Sequence, residues 1–272
     1  MSKILKFQDR LNAEKMLIGM IHLDALPGTP KNKNKPQSII NKALKEAEIY
    51  QKSGINTVLI ENMHDLPYLN QTAGHEISTL TAITAYEIKR KTDLYCGIQI
   101  LAGANIAALS AAHSANADFI RAEAFVFAHL ADEGYMESSA AELLRFRKNI
   151  GAEDILIFTD IKKKHSAHAI TNDVSISETA EAAEFFLSDG IIITGSSTGK
   201  KADINELKSV KQAVRLPVLI GSGITDENIH EFYPYADAFI IGSYFKVDGN
   251  WQNPPDAIRI KRLINTIKSL NQ

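Results

Sequence analysis

Short apolar runs alternate with stretches of helical periodicity along almost the whole chain. The runs Met16–Ile21, Thr57–Ile60, Leu94–Ile100, Phe119–Ala122, Ile155–Thr159, Gly190–Thr194, Leu216–Gly221 and Ala236–Ile241 read as strands. Most are nearly continuous in apolar residues, as strands covered on both faces require. Helical segments follow near Gln37–Lys52, His75–Arg90, Asn105–Ser114, Ser138–Lys148, Ile176–Leu187, Ile204–Val214 and Asp256–Leu270, and Thr225 and Asp226 offer the start of another. This alternation builds a parallel sheet, and eight such units predict an α/β fold, a single (β/α)8 TIM barrel spanning residues 1–272. No linker, repeat or low-complexity tract divides the chain.

Alternate side chains of a barrel strand point inward, and chemistry sits at the C-terminal strand ends. Parity therefore predicts an inward polar set of Glu61, Gln99, Arg121, Glu123, Asp160, Lys162 and Thr194. His22 ends the first strand and shares parity with Asp24, and His165 and His168 follow the fifth strand beside Lys162. His64, His75, His113, His129 and His230 read as capping or helix-surface residues. Burying so many ionisable groups is costly unless they are paired. The set is either a salt-bridge layer, Arg121 with Glu123 or Asp160, or a reaction site made of His22, Glu61, Arg121, Glu123, Asp160, Lys162 and His165. In the second case Lys162 beside Asp160 could donate a proton, act as an electrophile or form a Schiff base. Glu61, Glu123 and Asp160 could instead gather around Mg2+, which prefers oxygen ligands.

The last two strands end in glycine turns, Gly221-Ser222-Gly223 and Gly242-Ser243, and the loop after the sixth contributes Gly195 and Ser196. Bare backbone N–H groups at such turns can cradle an oxyanion, and the end of a β/α barrel is where a phosphate is often held. Each turn alone is equally a tight strand-to-loop connection. The loop TGSSTGK lacks the spacing of a nucleoside triphosphate P-loop. A phosphorylated small molecule is thus the expected ligand.

Composition narrows the partners. With 45% hydrophobic and 23% charged residues the chain can bury a full core, and a net charge of −2 gives no reason to expect nucleic acid. Lys162–Lys164 is the one dense basic run, and the looser run of Lys31, Lys33 and Lys35 reads as solvated surface. The lone Cys96 excludes an internal disulfide and suits a reducing compartment. Met1 to Lys15 is studded with charges and shows no secretory signal. Leu94 to Ala117 carries no formal charge, but Gln99, Asn105, Ser110, His113, Ser114 and Asn116 interrupt it. No integral membrane segment and a cytoplasmic location are expected, and homo-oligomerisation stays open.

The blocks IGMIHLDALPGTP, IENMHDLP, FIRAEAFVFAHLADEG, DIKKKHSAHAIT, IIITGSSTGK, PVLIGSGIT and FIIGSYFKVDGNWQNP fall on strand ends and their loops. Together they resemble the BtpA-like family, also called BtpA/SgcQ, over nearly the whole chain. The resemblance implies a barrel of the ribulose-phosphate-binding type. It also implies two settings, since the namesake is tied to biogenesis or stability of photosystem I in cyanobacteria and a bacterial relative sits among sugar-metabolism genes. His22, Asp24, Glu61, Asn62, Arg121, Glu123, Asp160, Lys162 and His165 match the motif positions, with no catalytic role attached to any of them. Two departures bear on the shape of the ligand pocket. The third strand ends in QILAGAN in place of a more polar end with an Arg and an Asn-Asp pair, and Met63-His64 stand where a small residue, often Gly, is usual.

Two functions are then in view. One is a cytoplasmic isomerase, lyase or hydrolase acting on a sugar phosphate or nucleotide-derived phosphate. The other is a non-catalytic assembly or stability factor for a membrane complex, which predicts an exposed apolar patch or amphipathic helix.

Overall fold

The apolar runs close into a barrel in the computed structural model, which describes residue 9 and residues 15–163, 165–195 and 201–270. In chain order the strands are β1 (Met16–His22), β2 (Thr57–Glu61), β3 (Tyr95–Gln99), β4 (Phe119–Ala122), β5 (His129–Ala131), β6 (Gly134–Met136), β7 (Leu156–Asp160), β8 (Ser166–Ala167), β9 (Gly190–Thr194), β10 (Val218–Gly221) and β11 (Ala238–Ile241). Eight of them form the barrel, in the order β1-β11-β10-β9-β7-β4-β3-β2. Every barrel pairing is parallel, and β11 closes onto β1. The register sets polar strand ends side by side: Glu61 lies between His22 and Gln99, and Thr194 lies beside Gly221.

Helices pack outside the strands, and local chemistry marks several of their ends. The helix Pro36–Lys52 begins on proline, whose fixed φ suits the first helical position. Ser175 and Glu178 form a reciprocal capping box on the helix Ile176–Phe185, with contacts of 2.7 and 3.1 Å. Inside the barrel, Ile18, Met20, Leu59, Phe119, Phe158, Ile192, Leu219 and Ile240 form a separate apolar plug. Its two phenyl rings, 5.3 Å apart, fit because β3 and β9 carry glycine. A Cβ on Gly97 would lie 2.1 Å from the Phe119 ring, and one on Gly190 would lie 2.7 Å from Phe158.

Two segments depart from the sequence reading. Thr225 and Asp226 lie in a turn, and the helix that follows is only Ile229–Phe232, cut short by Pro234, which cannot continue it. The loop after β4 is partly folded: β5 and β6 form a hairpin, and β8 adds to it as an antiparallel third strand. The hairpin is fastened from outside, with Asn70 Nδ2 donating to Tyr135 O at 2.9 Å and Gln71 bonding the backbone of Glu137 twice at 2.8 Å. The uncharged stretch 94–117 is split into β3 and the helix Asn105–Ser114 as expected. Among the described residues no helix is long and apolar enough to cross a membrane.

Candidate active site

The C-terminal ends of the barrel strands carry the inward polar set. His22 from β1, Glu61 from β2, Gln99 from β3, Arg121 from β4, Glu123 just beyond it, Asp160 from β7 and Thr194 from β9 are all buried. All line one cavity of about 450 Å3. Their charges are matched in pairs. Arg121 holds Asp160 through two parallel bonds, Nε to Oδ2 at 2.8 Å and Nη2 to Oδ1 at 3.0 Å. Burial opposes the Arg121 charge, yet Asp160, helped by Glu61 and Glu123, outweighs it and lifts the guanidinium pKa above its ordinary value.

The second pair is Lys163 with Glu123, at 2.8 Å, and Gln99 Nε2 donates to the other Glu123 oxygen at 3.2 Å. Lys163 takes the place the parity reading gave to Lys162. Strand geometry ends at Asp160, and Lys162 adopts a positive φ of 46°, so alternation fails after β7. The Lys162 ammonium turns away from the cavity and donates to Thr171 O at 2.8 Å and Thr171 Oγ1 at 3.3 Å. Burial pulls the Lys162 pKa below its ordinary value, with Asp173 and Glu178 opposing. Burial also works against the Lys163 charge, but Glu123 wins and the pKa is raised. Lys163 is therefore a fixed cation, not a free amine suited to Schiff-base chemistry.

His22 and Glu61 form the third pair, with Nε2 and Oε2 3.6 Å apart. His22 Nδ1 lies 3.0 Å from the carbonyl oxygen of Trp251. A carbonyl only accepts, so Nδ1 carries the hydrogen and Nε2 is the nitrogen turned to the carboxylate. The two groups face each other across slightly more than hydrogen-bond distance, an arrangement of imidazole and carboxylate suited to general acid–base work.

His165 lines the cavity from its exposed edge. Asp24 lies apart, bonded to Lys42 and Asn34. Of the glycine-turn residues, Ser222, Gly223, Gly242 and Ser243 line the cavity. Gly195 and Gly221 are buried and do not line it, and Ser196 lies outside the described residues. Gly221 matters through what it lacks: a Cβ there would come within 3.9 Å of Arg121 Nη2 and 3.3 Å of Thr194. The magnesium arrangement does not fit these donors. Glu61, Glu123 and Asp160 each face a cationic or imidazole partner, and no group of three potential ligands among the described residues is placed to hold a metal.

Several lining residues escaped the sequence reading. Trp251 comes from the loop after β11 and leans on His64, with ring centroids 4.8 Å apart. His64, expected at a surface, instead bonds Leu23 O at 2.7 Å through Nδ1. Arg259, near the start of the last helix, reaches the cavity across Tyr244, 4.6 Å above that ring, with Nε donating to Tyr244 O at 2.6 Å. Asp132 and Glu133 at the hairpin tip overhang the mouth. His129, also expected at a surface, is buried at the base of the hairpin, on β5 beside His168, and burial together with the Lys163 charge pushes its pKa down to about 4. Asn62 and Asp65 brace the loops: Asp65 accepts from Leu26 N and Asn62 Nδ2, while Asn62 accepts from Leu101 N. Asn62 stood among the matched motif positions, and Trp251 had a signal of its own, as the single tryptophan of the chain in a turn-rich loop.

Compared with known proteins, the chain matches the model of the BtpA family over residues 13–269. It belongs to the BtpA family. A BtpA relative from Caenorhabditis elegans, described as an uncharacterized mitochondrial protein, is 46% identical over 268 residues and covers 96% of both chains. The photosystem I biogenesis protein BtpA of Synechocystis is 28% identical over 252 residues, covering 92% of this chain and 87% of its own. Among solved structures, the (S)-3-O-geranylgeranylglyceryl phosphate synthase of Thermoplasma acidophilum superposes with a TM-score of 0.64 over 99% of both chains at 16% identity. That likeness establishes the TIM-barrel fold of this BtpA chain, as its closed parallel barrel does independently.

Proposed function

We propose that the barrel mouth is the active site of an enzyme acting on a small phosphorylated metabolite. One observation carries the reading: the buried pairs Arg121–Asp160, Glu123–Lys163 and His22–Glu61 face the same cavity as the turns at Ser222-Gly223 and Gly242-Ser243. The turns and Arg259 would receive the phosphate, whose charge a guanidinium matches well. Over the floor, Arg121 and Lys163 would steady negative charge developing on the substrate while the His22–Glu61 pair moves a proton. Isomerisation, carbon–carbon cleavage and hydrolysis are the reaction classes such a floor serves. The Thermoplasma synthase, which shares the fold, is solved with its substrate sn-glycerol 1-phosphate, and that supports the ligand class.

The test is to incubate the protein with a library of phosphorylated metabolites and follow their consumption by mass spectrometry. One or a few should be consumed, and Glu61→Gln and His22→Asn should slow that turnover about 10²–10⁴-fold with the fold retained by circular dichroism. A folded protein inert to the whole library overturns the proposal. A second reading, as an assembly factor, is favoured by the cluster Phe185, Phe186 and Leu187, exposed to 82%, 45% and 67%. It expects Phe185→Ser to abolish the cellular role and Glu61→Gln to spare it.

A further inference from the structure

The cavity is lopsided in chemistry. Strand order places β2 and β3 across the barrel from β9 and β10, so the wall facing the turn at Ser222-Gly223 is built by the loops after β2 and β3, and Trp251 reaches over it from the connection after β11 to rest on His64. That wall is apolar: Met63, Leu66, Tyr68, Leu101 and Trp251 line it. Trp251 is held in place, its carbonyl bonded by His22 at 3.0 Å and its ring set against His64 and edge-on to His22. Between wall and turns, the floor offers two buried oxygens with no partner among the described residues, Gln99 Oε1 and Thr194 Oγ1. Gln99 is 1% exposed, and its amide orientation is fixed because Nε2 donates to the Glu123 carboxylate. Its oxygen therefore asks for a donor from the ligand.

Anion cradle, hydroxyl-seeking floor and aromatic wall follow one another across the mouth. We propose that the substrate is a nucleoside monophosphate or a close analogue, with its phosphate at the turns, its sugar hydroxyls on Gln99 and Thr194, and its flat nitrogenous ring on Trp251. This rests on the reading above that the turns hold a phosphate. A bare sugar phosphate would satisfy the floor and the turns but leave the apolar wall against water, which small-molecule sites avoid. Rings stack on tryptophan with little regard to base identity, so Trp251 selects for a ring and not for one base.

Trp251 is the only tryptophan in the chain, so intrinsic fluorescence reports directly on this wall. The protein is titrated with adenosine 5′-monophosphate, uridine 5′-monophosphate, ribose 5-phosphate and adenosine, and affinities are checked by calorimetry. The nucleoside monophosphates should quench the emission and bind at least about tenfold more tightly than ribose 5-phosphate. Trp251→Ala should erase that gap while keeping ribose 5-phosphate binding, and Trp251→Phe should keep part of it, both at an unchanged melting temperature. If Trp251→Ala does not fold, the titrations of the unaltered protein decide. Equal affinity for ribose 5-phosphate overturns the ring subsite and leaves the phosphate reading standing. Adenosine binding as tightly as its monophosphate supports the ring subsite and overturns the phosphate reading, and no response to any of the four overturns both.

Discussion

Arg121 is 7% exposed at the floor of a water-accessible cavity, and Asp160 is what makes its charge tolerable there. Removing one partner of a buried pair leaves the other charge uncompensated, which costs more than the intact pair contributes. Asp160→Asn should therefore destabilise the protein by about 3–5 kcal/mol, read as a shift of the urea midpoint. His129 gives a pH signature instead. Its ordinary pKa is 6.5 and the folded value is about 4, so between these the unfolded chain binds the extra proton and stability falls as pH drops. The melting temperature of His129→Gln should decline less than that of the unaltered protein between pH 6.5 and pH 4. At this scale the sequence was legible where strand alternation persisted: Glu61, Gln99, Arg121, Glu123, Asp160 and Thr194 all line the cavity. It misled at Lys162, where a positive φ hands the inward position to Lys163, a backbone detail that no periodicity encodes.

Among the elements, the barrel strands were readable because burial on both faces writes long apolar runs. The β5–β6–β8 sheet was not, because its strands are short and its third member comes from beyond β7. Such pairing depends on distant partners, and the local signal of three residues is too weak to show it. A different long-range contact ties the helix Pro36–Lys52 to the segment after β11. Lys246, 1% exposed, donates to Glu46 Oε2 at 2.6 Å and lies 5.8 Å from the Tyr50 ring. Lys246→Met should cost about 3–5 kcal/mol by stranding Glu46, and the double variant Lys246→Met with Glu46→Leu should recover most of the loss. Chemical denaturation of the single and double variants completes the cycle.

For the molecule as a whole, the barrel interior sets how much change the fold absorbs. Gly97→Ala would drive a methyl group into the Phe119 ring, and overpacking of this kind costs about 1–3 kcal/mol, measurable by urea unfolding. The two phenyl rings that these glycines admit have a consequence for traffic. Phe119 and Phe158 stopper the barrel below the charged floor, so the mouth is a blind well. Whatever binds there must back out along the path by which it came in, past Asp132 and Glu133 at the hairpin tip. Departure of one ligand and arrival of the next then contend for a shared doorway, and loosening the hairpin that frames it would speed both.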